Sequence, residues 1–287
     1  VNSFEDKRIV KIITKKKLGL ASCLNLGIKK SKSNLIARMD SDDVSESNRL
    51  EEQIKFLNKN KNIDIVGSAI RIIDNNGRVR KLISFPQTNL EIKWAMCLGC
   101  PIVHPSVIIR KDVFKKYGLY DKKEKIEDYS LWSRYINKGI QFYNLDKHLL
   151  KVRKHSKNLN KYKLKKVNKA EVEIIKRNIK NILNLKITNK NIFFLDVIRS
   201  NGKLKKKYIK EAIQFLKNIF SNYSKLYLKS VNNKVLDSLT KDFLEKIFII
   251  RIRNLNNSII LKEFIVEIFL NFKFVIYLFF KVINNYF

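Results

Sequence analysis

Three aspartates within four residues form a concentrated acidic group: Asp40, Asp42 and Asp43 in the segment MDSDD. Carboxylates this close repel one another unless a positive charge neutralises them, and hard divalent cations prefer carboxylate oxygens as ligands. A cation held there could also bind the oxygens of a phosphate group. The alternative is a helix N-terminus, where the helix dipole favours acidic residues. The aspartates alone leave both interpretations open.

The cysteines and the common motifs exclude several other kinds of site. Cys97 and Cys100 form a CxxC pair, but Cys23 is the only other cysteine, so a zinc site with four thiolates cannot form. Pro101 follows the pair, where a thioredoxin-type motif would open a helix. We interpret both cysteines as buried small residues. The sequence has no GxGxxG, Walker A or HExxH pattern, which argues against dinucleotide, P-loop and zinc-protease sites.

The elements that position the aspartates alternate between strands and helices. Apolar β-rich runs predict strands at 8–14, 35–39, 64–73, 79–85, 103–110, 141–145 and 148–153. Apolar residues at helical spacing predict helices at 18–32, 49–60, 91–98 and 127–137. This alternation predicts an α/β domain with a mixed, mostly parallel sheet. The aspartates follow the carboxyl end of a predicted strand, where such sheets bind their ligands.

The chain changes character after His155. Lysine-rich segments with helical periodicity, such as 208–220, replace the strand pattern. We therefore predict an α/β domain over residues 1–155 and a basic helical region over residues 156–287. Segment 264–283 is the most apolar, but its longest uninterrupted apolar run is far shorter than the roughly 20 residues of a membrane span. It predicts a packed terminal helix or a helix that lies on a membrane surface.

Composition narrows the function classes. The 287 residues carry a net charge of +34, yet 11% aromatic residues and abundant Ile and Leu argue against intrinsic disorder. Few cysteines and no secretory signal predict a cytoplasmic protein, with the inner face of the membrane as a further expected location. The basic excess could bind phosphates, but it is spread along the whole chain, so we expect no specific nucleic-acid partner. The alternative function is a basic nucleic-acid-binding or non-catalytic membrane-peripheral protein.

Six segments, in this order and spacing, resemble the family-2 glycosyltransferases of the GT-A fold. A lone DxD motif is weak support, whereas the six together cover about residues 8–160 and are specific. The segments are 18–43 (ending in LIARMDSDD), 47–57 (SNRLEEQIKFL), 64–68 (DIVGS), 101–121 (PIVHPSVIIRKDVFKKYGLYD), 126–139 (IEDYSLWSRYINKG) and 152–160 (VRKHSKNLN).

The resemblance implies an inverting enzyme that moves a sugar from a nucleotide-diphosphate sugar to a hydroxyl of a glycan or glycolipid. The expected donor is a UDP-sugar, and the expected cofactor is Mn²⁺ or Mg²⁺. By position, Asp40 and Asp42 match the family's DxD motif, with Asp42 the expected metal ligand and Asp40 near the ribose or the metal. Asp43 is expected to act through water or by shaping the turn. Arg38 and Asn25 are further expected donor-binding residues.

The same resemblance assigns a second acidic pair and two histidines. Glu127 and Asp128 match a pair in which the aspartate is the general base for the acceptor hydroxyl, a role that a carboxylate pKa raised by desolvation favours. The alternative for this pair is again a helix N-terminus. His155 is expected at the metal or the diphosphate, or else solvated. Trp132 and His104 are expected on the acceptor side, with structural roles in the core as the alternatives.

The sequence departs from the family at its start. Family members open with a strand, a helix and a second strand that hold the nucleotide base, whereas this sequence begins with Val1 and shows no such opening. We therefore expect an N-terminally truncated chain, or a partial relative without activity. In either case these 287 residues are expected to bind a nucleotide-sugar poorly on their own.

Overall fold

The computed structural model describes residues 5–154, 169–199, 204–229 and 231–252. One sheet is formed by β1 (Leu35–Ala37), β2 (Val44–Ser45), β3 (Ile65–Ile73), β4 (Val79–Ile83), β5 (Ile108–Arg110) and β6 (Phe142–Arg153). Its order is β1-β5-β3-β6-β2, and β4 pairs with β3. The sheet is mixed, as predicted. Only β3 and β6 pair in parallel among these strands, which is less parallel pairing than predicted, because β5 runs antiparallel between β1 and β3.

Helices surround the sheet and follow it. They are α1 (Leu20–Lys30), α2 (Arg49–Lys59), α3 (Asn89–Met96), α4 (Lys111–Tyr117), α5 (Glu127–Ile136), α6 (Lys169–Leu183), α7 (Asn189–Arg199), α8 (Lys206–Tyr227) and α9 (Asn233–Ile252). Thr88 and Glu91 form a capping box that starts α3, and Gly118, at φ 87°, ends α4. The four helices predicted between residues 18 and 137 are confirmed, and an α/β sheet followed by helices confirms the predicted fold class.

The apolar core joins the sheet to the later helices. Strand β3 is buried along almost its whole length, and Ile65 belongs to the same apolar cluster as Trp94 of α3, Trp132 of α5 and Tyr223 of α8. The Trp94 indole N–H also donates to Asp242 of α9 at 2.8 Å. Helices α6, α8 and α9 therefore cover α3 and α5. The division of the chain at residue 155 stays a prediction.

Segment 8–14 differs most from its prediction. It has no regular secondary structure, and Ile13 is 90% exposed. β-branched residues favour a strand only where a neighbouring strand receives their hydrogen bonds. None of the described strands pairs with this segment, so its apolar pattern alone does not fix a strand.

Smaller differences concern three other segments. Residues 104–106 form a 3₁₀ turn before β5, because Pro105 lacks the N–H that a strand ladder needs. The predicted strands 141–145 and 148–153 are a single strand, β6, with register shifts against β3. Cys97 is buried as predicted, whereas Cys100 is exposed. Within the described ranges no helix is long and apolar enough to cross a membrane, and segment 264–283 lies outside them.

Candidate functional site

Residues 38–43, called the acidic turn below, connect opposite edges of the sheet. They leave β1 at one edge and enter β2 at the other, where Val44 pairs with Lys151 at the end of β6. The Arg38 backbone N–H donates to the Val107 carbonyl at 3.0 Å. The next helix, α2, begins only at Arg49. The helix N-terminus interpretation of the three aspartates is therefore wrong, and they belong to an irregular crossing.

Arg38 supplies the positive charge that the aspartates require. Its guanidinium binds the Asp40 carboxylate through two contacts, Nη2 to Oδ1 at 2.5 Å and Nη1 to Oδ2 at 2.8 Å. The Arg38 side chain is only 9% exposed, whereas that of Asp40 is 44% exposed. A two-point contact of this kind fixes geometry as well as charge. Asp40 is thus held in place at the surface by a buried cation.

Asp43 is the buried member of the acidic turn. Its Oδ1 accepts the Arg153 backbone N–H at 2.9 Å, while its buried Oδ2 has no hydrogen-bond partner. Burial raises the pKa of the Asp43 carboxyl, and the charges of Asp40 and Asp42 raise it further. Arg49, also buried, donates to the Arg38 carbonyl at 2.8 Å, and burial lowers its pKa to about 10.

Arg153 fastens the acidic turn to the rest of the sheet. Its Nε donates to the Asp42 carbonyl at 3.0 Å, and its Nη1 donates to the carbonyls of Asp74 and Asn75 at 3.0 and 3.1 Å. The hairpin between β3 and β4 and the acidic turn are therefore joined through one side chain. The Asp42 side chain itself is exposed. Sequence reasoning did not assign Arg153, although it lies two residues before His155.

The second acidic pair, Glu127 and Asp128, forms the first turn of α5. Asp128 is partly buried, and its Oδ1 accepts the Tyr129 backbone N–H at 2.7 Å. Burial raises the pKa of the Asp128 carboxyl, the Glu127 charge adds to that rise, and the Arg38 charge opposes it. The charge of Arg38 therefore affects the pKa of Asp128, while its guanidinium binds Asp40 directly.

His104 and Tyr120 lie in the core near the same cation. His104 Nε2 and Tyr120 Oη are 2.7 Å apart, and both side chains are buried. Burial, and secondarily the charge of Arg38, lowers the pKa of His104 to about 3, so its ring is neutral at physiological pH. Burial raises the pKa of Tyr120 above its ordinary value. This pair can donate and accept hydrogen bonds but does not carry charge.

Asn25 and Trp132 have packing roles in the structure. The Asn25 amide donates to the Tyr120 carbonyl at 2.8 Å and accepts the Tyr120 backbone N–H at 3.0 Å, so both of its ends are used. Trp132 is fully buried, with its ring centroid 5.8 Å from that of His104. It has no exposed face on which a sugar could stack, which corrects its expected contact with the acceptor. Trp132 is an aromatic residue of the core, which was the alternative interpretation.

The residues expected to bind a metal fit a divalent cation only in part. His155 lies outside the described residues. Within the described ranges, no cluster of three or more His, Cys, Asp or Glu side chains is assembled for a metal. The exposed Asp42 and Asp40 carboxylates are nevertheless the hard oxygen donors that Mg²⁺ and Mn²⁺ prefer. Mg²⁺ commonly takes one or two carboxylates and completes its shell with phosphate oxygens and water, and the acidic turn suits that arrangement.

Comparisons with known proteins agree with these features. Residues 1–118 match the model of the family described as Glycosyl transferase family 2. The chain is 38% identical over 154 residues to the O-antigen biosynthesis glycosyltransferase WbnJ of Escherichia coli, covering 53% of this chain and 60% of that protein. It is 33% identical over 166 residues to the amylovoran biosynthesis glycosyltransferase AmsE of Erwinia amylovora, covering 58% of this chain and 62% of that protein.

A third relative carries its substrates in its name. It is the UDP-Gal:alpha-D-GlcNAc-diphosphoundecaprenol beta-1,3-galactosyltransferase of Escherichia coli, 30% identical over 139 residues, covering 48% of this chain and 50% of that protein. The chain thus spans between half and about three fifths of the length of these three relatives. Asp40, Asp42 and Asp43 lie inside the residues that match the family model, and Asp128 lies beyond them.

Proposed function

We propose that the protein is a family-2 glycosyltransferase that transfers a sugar from a nucleotide-diphosphate sugar to a hydroxyl group of a glycan or glycolipid, with inversion at the anomeric carbon. The match of residues 1–118 to the model of that family supports this proposal. The observation that carries this proposal is the presence of two acidic groups, the acidic turn with Asp40 bound to the buried Arg38 and the partly buried Asp128 at the start of α5. The acidic turn suits a diphosphate with a divalent metal cation, and the start of α5 suits the acceptor hydroxyl.

A UDP-sugar is the proposed donor, and a lipid-linked sugar is the proposed acceptor. The name of the galactosyltransferase relative supports both, and two other relatives are named for polysaccharide biosynthesis. We place the diphosphate at the acidic turn, with Asp40 and Asp42 toward it and Arg38 behind Asp40. We propose that the protein works in the cytoplasm at the inner face of the membrane, where the basic residues after His155 would contact anionic lipid.

On the acceptor side, Asp128 is the proposed general base. It removes the proton from the acceptor hydroxyl while that oxygen forms a bond to the anomeric carbon and the bond from that carbon to the diphosphate oxygen breaks. One displacement of this kind inverts the anomeric centre. Partial burial raises the pKa of Asp128 and so makes its carboxylate a stronger base than an exposed aspartate. Glu127 beside it contributes to that rise.

Mn²⁺ or Mg²⁺ is the proposed cofactor, with Asp42 as the main protein ligand and Asp40 and His155 as further candidates. When bound, such a cation neutralises the negative charge that develops on a leaving diphosphate. Arg38 neutralises Asp40 from the protein side. Asp43 faces the Arg153 backbone and shapes the acidic turn.

Replacement of Asp128 tests the proposed base. Asp128→Asn keeps the size of the side chain but removes its basicity, so transfer should fall by at least about a hundredfold. The assay measures release of UDP from UDP-galactose at millimolar concentration, with GlcNAc-diphosphoundecaprenol as acceptor. Binding of UDP should not change, because the donor is proposed to lie at the acidic turn.

The matched control is Asp146→Asn, an identical chemical change at an exposed carboxylate on β6, which should transfer at the rate of the unmodified protein. Retained turnover in Asp128→Asn would remove Asp128 as the base.

A further inference from the structure

Helix α6, the first described helix of the basic region, is attached to α5 by an arginine. Arg177 donates from Nη2 to the Ser130 hydroxyl at 3.0 Å and from Nε to the Ser133 hydroxyl at 3.2 Å. Its Nη1 also contacts the Glu124 carboxylate at 3.4 Å, in the segment that leads into α5. A single guanidinium thus spans the approach to α5 and the helix's first two turns.

The neighbouring residue, Asn178, makes a second and fully buried attachment. Its amide N–H donates to the Met96 carbonyl at 2.8 Å and to the Tyr129 hydroxyl at 3.3 Å, and its amide oxygen accepts the Ser133 hydroxyl at 2.5 Å. Every contact lies in the core, where an unsatisfied amide is costly. The network therefore favours one placement of α5 against α6 and α3.

These contacts involve residues on both sides of Asp128 in the sequence. Tyr129, the next residue, donates its backbone N–H to Asp128 and its hydroxyl to Met96 at 2.8 Å. Glu124 lies before Asp128 and Ser130 after it, and Arg177 reaches both. A displacement of the start of α5 would lengthen or break these hydrogen bonds.

We propose that Arg177 and Asn178 are positioning residues for Asp128, so that the basic region holds the general base in place on the acceptor side of the enzyme. This inference rests on the proposed function, since it concerns the residue proposed there as the base. It gives α6 a role in the reaction itself, apart from any role of the basic region at a membrane.

Arg177→Met is the test variant, because Arg177 is at the edge of the network and its side chain is 40% exposed. We expect kcat to fall about tenfold with KM for UDP-galactose unchanged, because a small displacement from productive geometry costs rate. The acid limb of the kcat profile should move to lower pH, because burial is the main cause of the raised pKa of Asp128 and a displaced α5 start is better solvated.

The matched control is Lys176→Met, one position earlier on α6, where the ion pair is to Glu173 of the same helix. This variant should keep kcat and the pH profile. Arg177→Lys keeps the charge and should recover part of kcat. Carbon-13 NMR titration of the Asp128 carboxyl measures the change in its pKa directly, without substrate.

Three outcomes would overturn the proposal. Arg177→Met could have the same kcat and acid limb as an unaffected Lys176→Met, or both variants could lose kcat equally. The acid limb of Arg177→Met could also move to higher pH, which would report only the loss of the positive charge. If Arg177→Met does not fold, Ser130→Ala removes one acceptor, and a fall in kcat of about threefold is expected, with no fall counting against the proposal. Absence of transfer by the unmodified protein would refute the proposed function, and turnover in Asp128→Asn would refute Asp128 as the base. An inactive Asp128→Asn with a fully active Arg177→Met would refute only the positioning role.

Discussion

The acidic turn and the start of α5 carry the two acidic groups of the site, and they differ in what holds them. The acidic turn has no regular structure of its own, and Asp43 is fixed by Arg153, 110 residues away in the sequence. Asp128 has a local frame, because a helix begins at Glu127 and the neighbouring Tyr129 N–H is its hydrogen-bond donor. Only the placement of that helix depends on distant contacts.

This difference shows which basic residues hold the site in place in a chain with a net charge of +34. Arg38 binds Asp40 through two contacts, and Arg153 reaches three backbone carbonyls at two turns. A lysine ammonium cannot make either of these two sets of directed hydrogen bonds. The acidic turn should therefore be sensitive to single changes in its own residues and its arginines, while the start of α5 keeps its local form.

The largest effect is expected from the acidic turn itself. Asp42→Asn removes the proposed main ligand of the cation, so binding of UDP in the presence of Mn²⁺ should weaken about a hundredfold. Binding of UDP without Mn²⁺ should stay the same. Isothermal titration calorimetry measures both affinities.

Asp146→Asn is again the control and should leave both affinities unchanged. Equal weakening with and without Mn²⁺ would show that Asp42 supports the fold of the acidic turn and does not bind the cation.

A variant with a smaller expected effect distinguishes the role of the position of the acidic turn from the role of its charge. Arg153→Met removes three hydrogen bonds to backbone carbonyls but leaves every aspartate intact. Mn²⁺-dependent binding of UDP should weaken about tenfold, as expected for a group that orients metal ligands. The free energy of unfolding, measured with urea, should fall by about 2 kcal/mol.

The control for that variant is Arg78→Met, at an exposed arginine on the same hairpin. Its free energy of unfolding should change by less than about 1 kcal/mol, as is usual for substitutions at exposed positions. If Arg153→Met loses stability but binds UDP with Mn²⁺ normally, the acidic turn does not depend on Arg153.

Local patterns predict the start of α5 better than the acidic turn. Apolar spacing locates α2 and α5, and MDSDD follows a predicted strand that the structure confirms as β1. The pairing of Arg153 with Asp43 joins residues far apart, which no local pattern reports. Segment 8–14 has the composition of a strand but no described partner, and Trp132 is buried by neighbours from several elements.

One signal in the sequence could have pointed to these contacts. Arginine makes up 13 of the 60 basic residues, so lysine is the ordinary cation of this chain. Arg38, Arg153 and Arg177 each make several directed hydrogen bonds that a lysine could not. In a lysine-rich sequence, an arginine near an acidic motif is therefore more informative than the net charge.

The last effect appears only at low pH and concerns His104, which lies in the core near Arg38. An unfolded histidine binds a proton below about pH 6.5, whereas folded His104, with a pKa of about 3, stays neutral. Between these values the unfolded chain binds more protons, so the free energy of unfolding falls as the pH falls. The contribution of His104 to this slope should approach about 1.4 kcal/mol per pH unit at pH 4 to 5.

His104→Gln should flatten that slope, because glutamine can hydrogen-bond to Tyr120 but does not titrate. Urea unfolding of both proteins at several pH values between 4 and 7 measures the difference. An unchanged slope in His104→Gln would mean that His104 is not held neutral. The core beside Arg38 would then accommodate a charged imidazole, and His104 would not be the neutral hydrogen-bond partner of Tyr120 that its burial indicates.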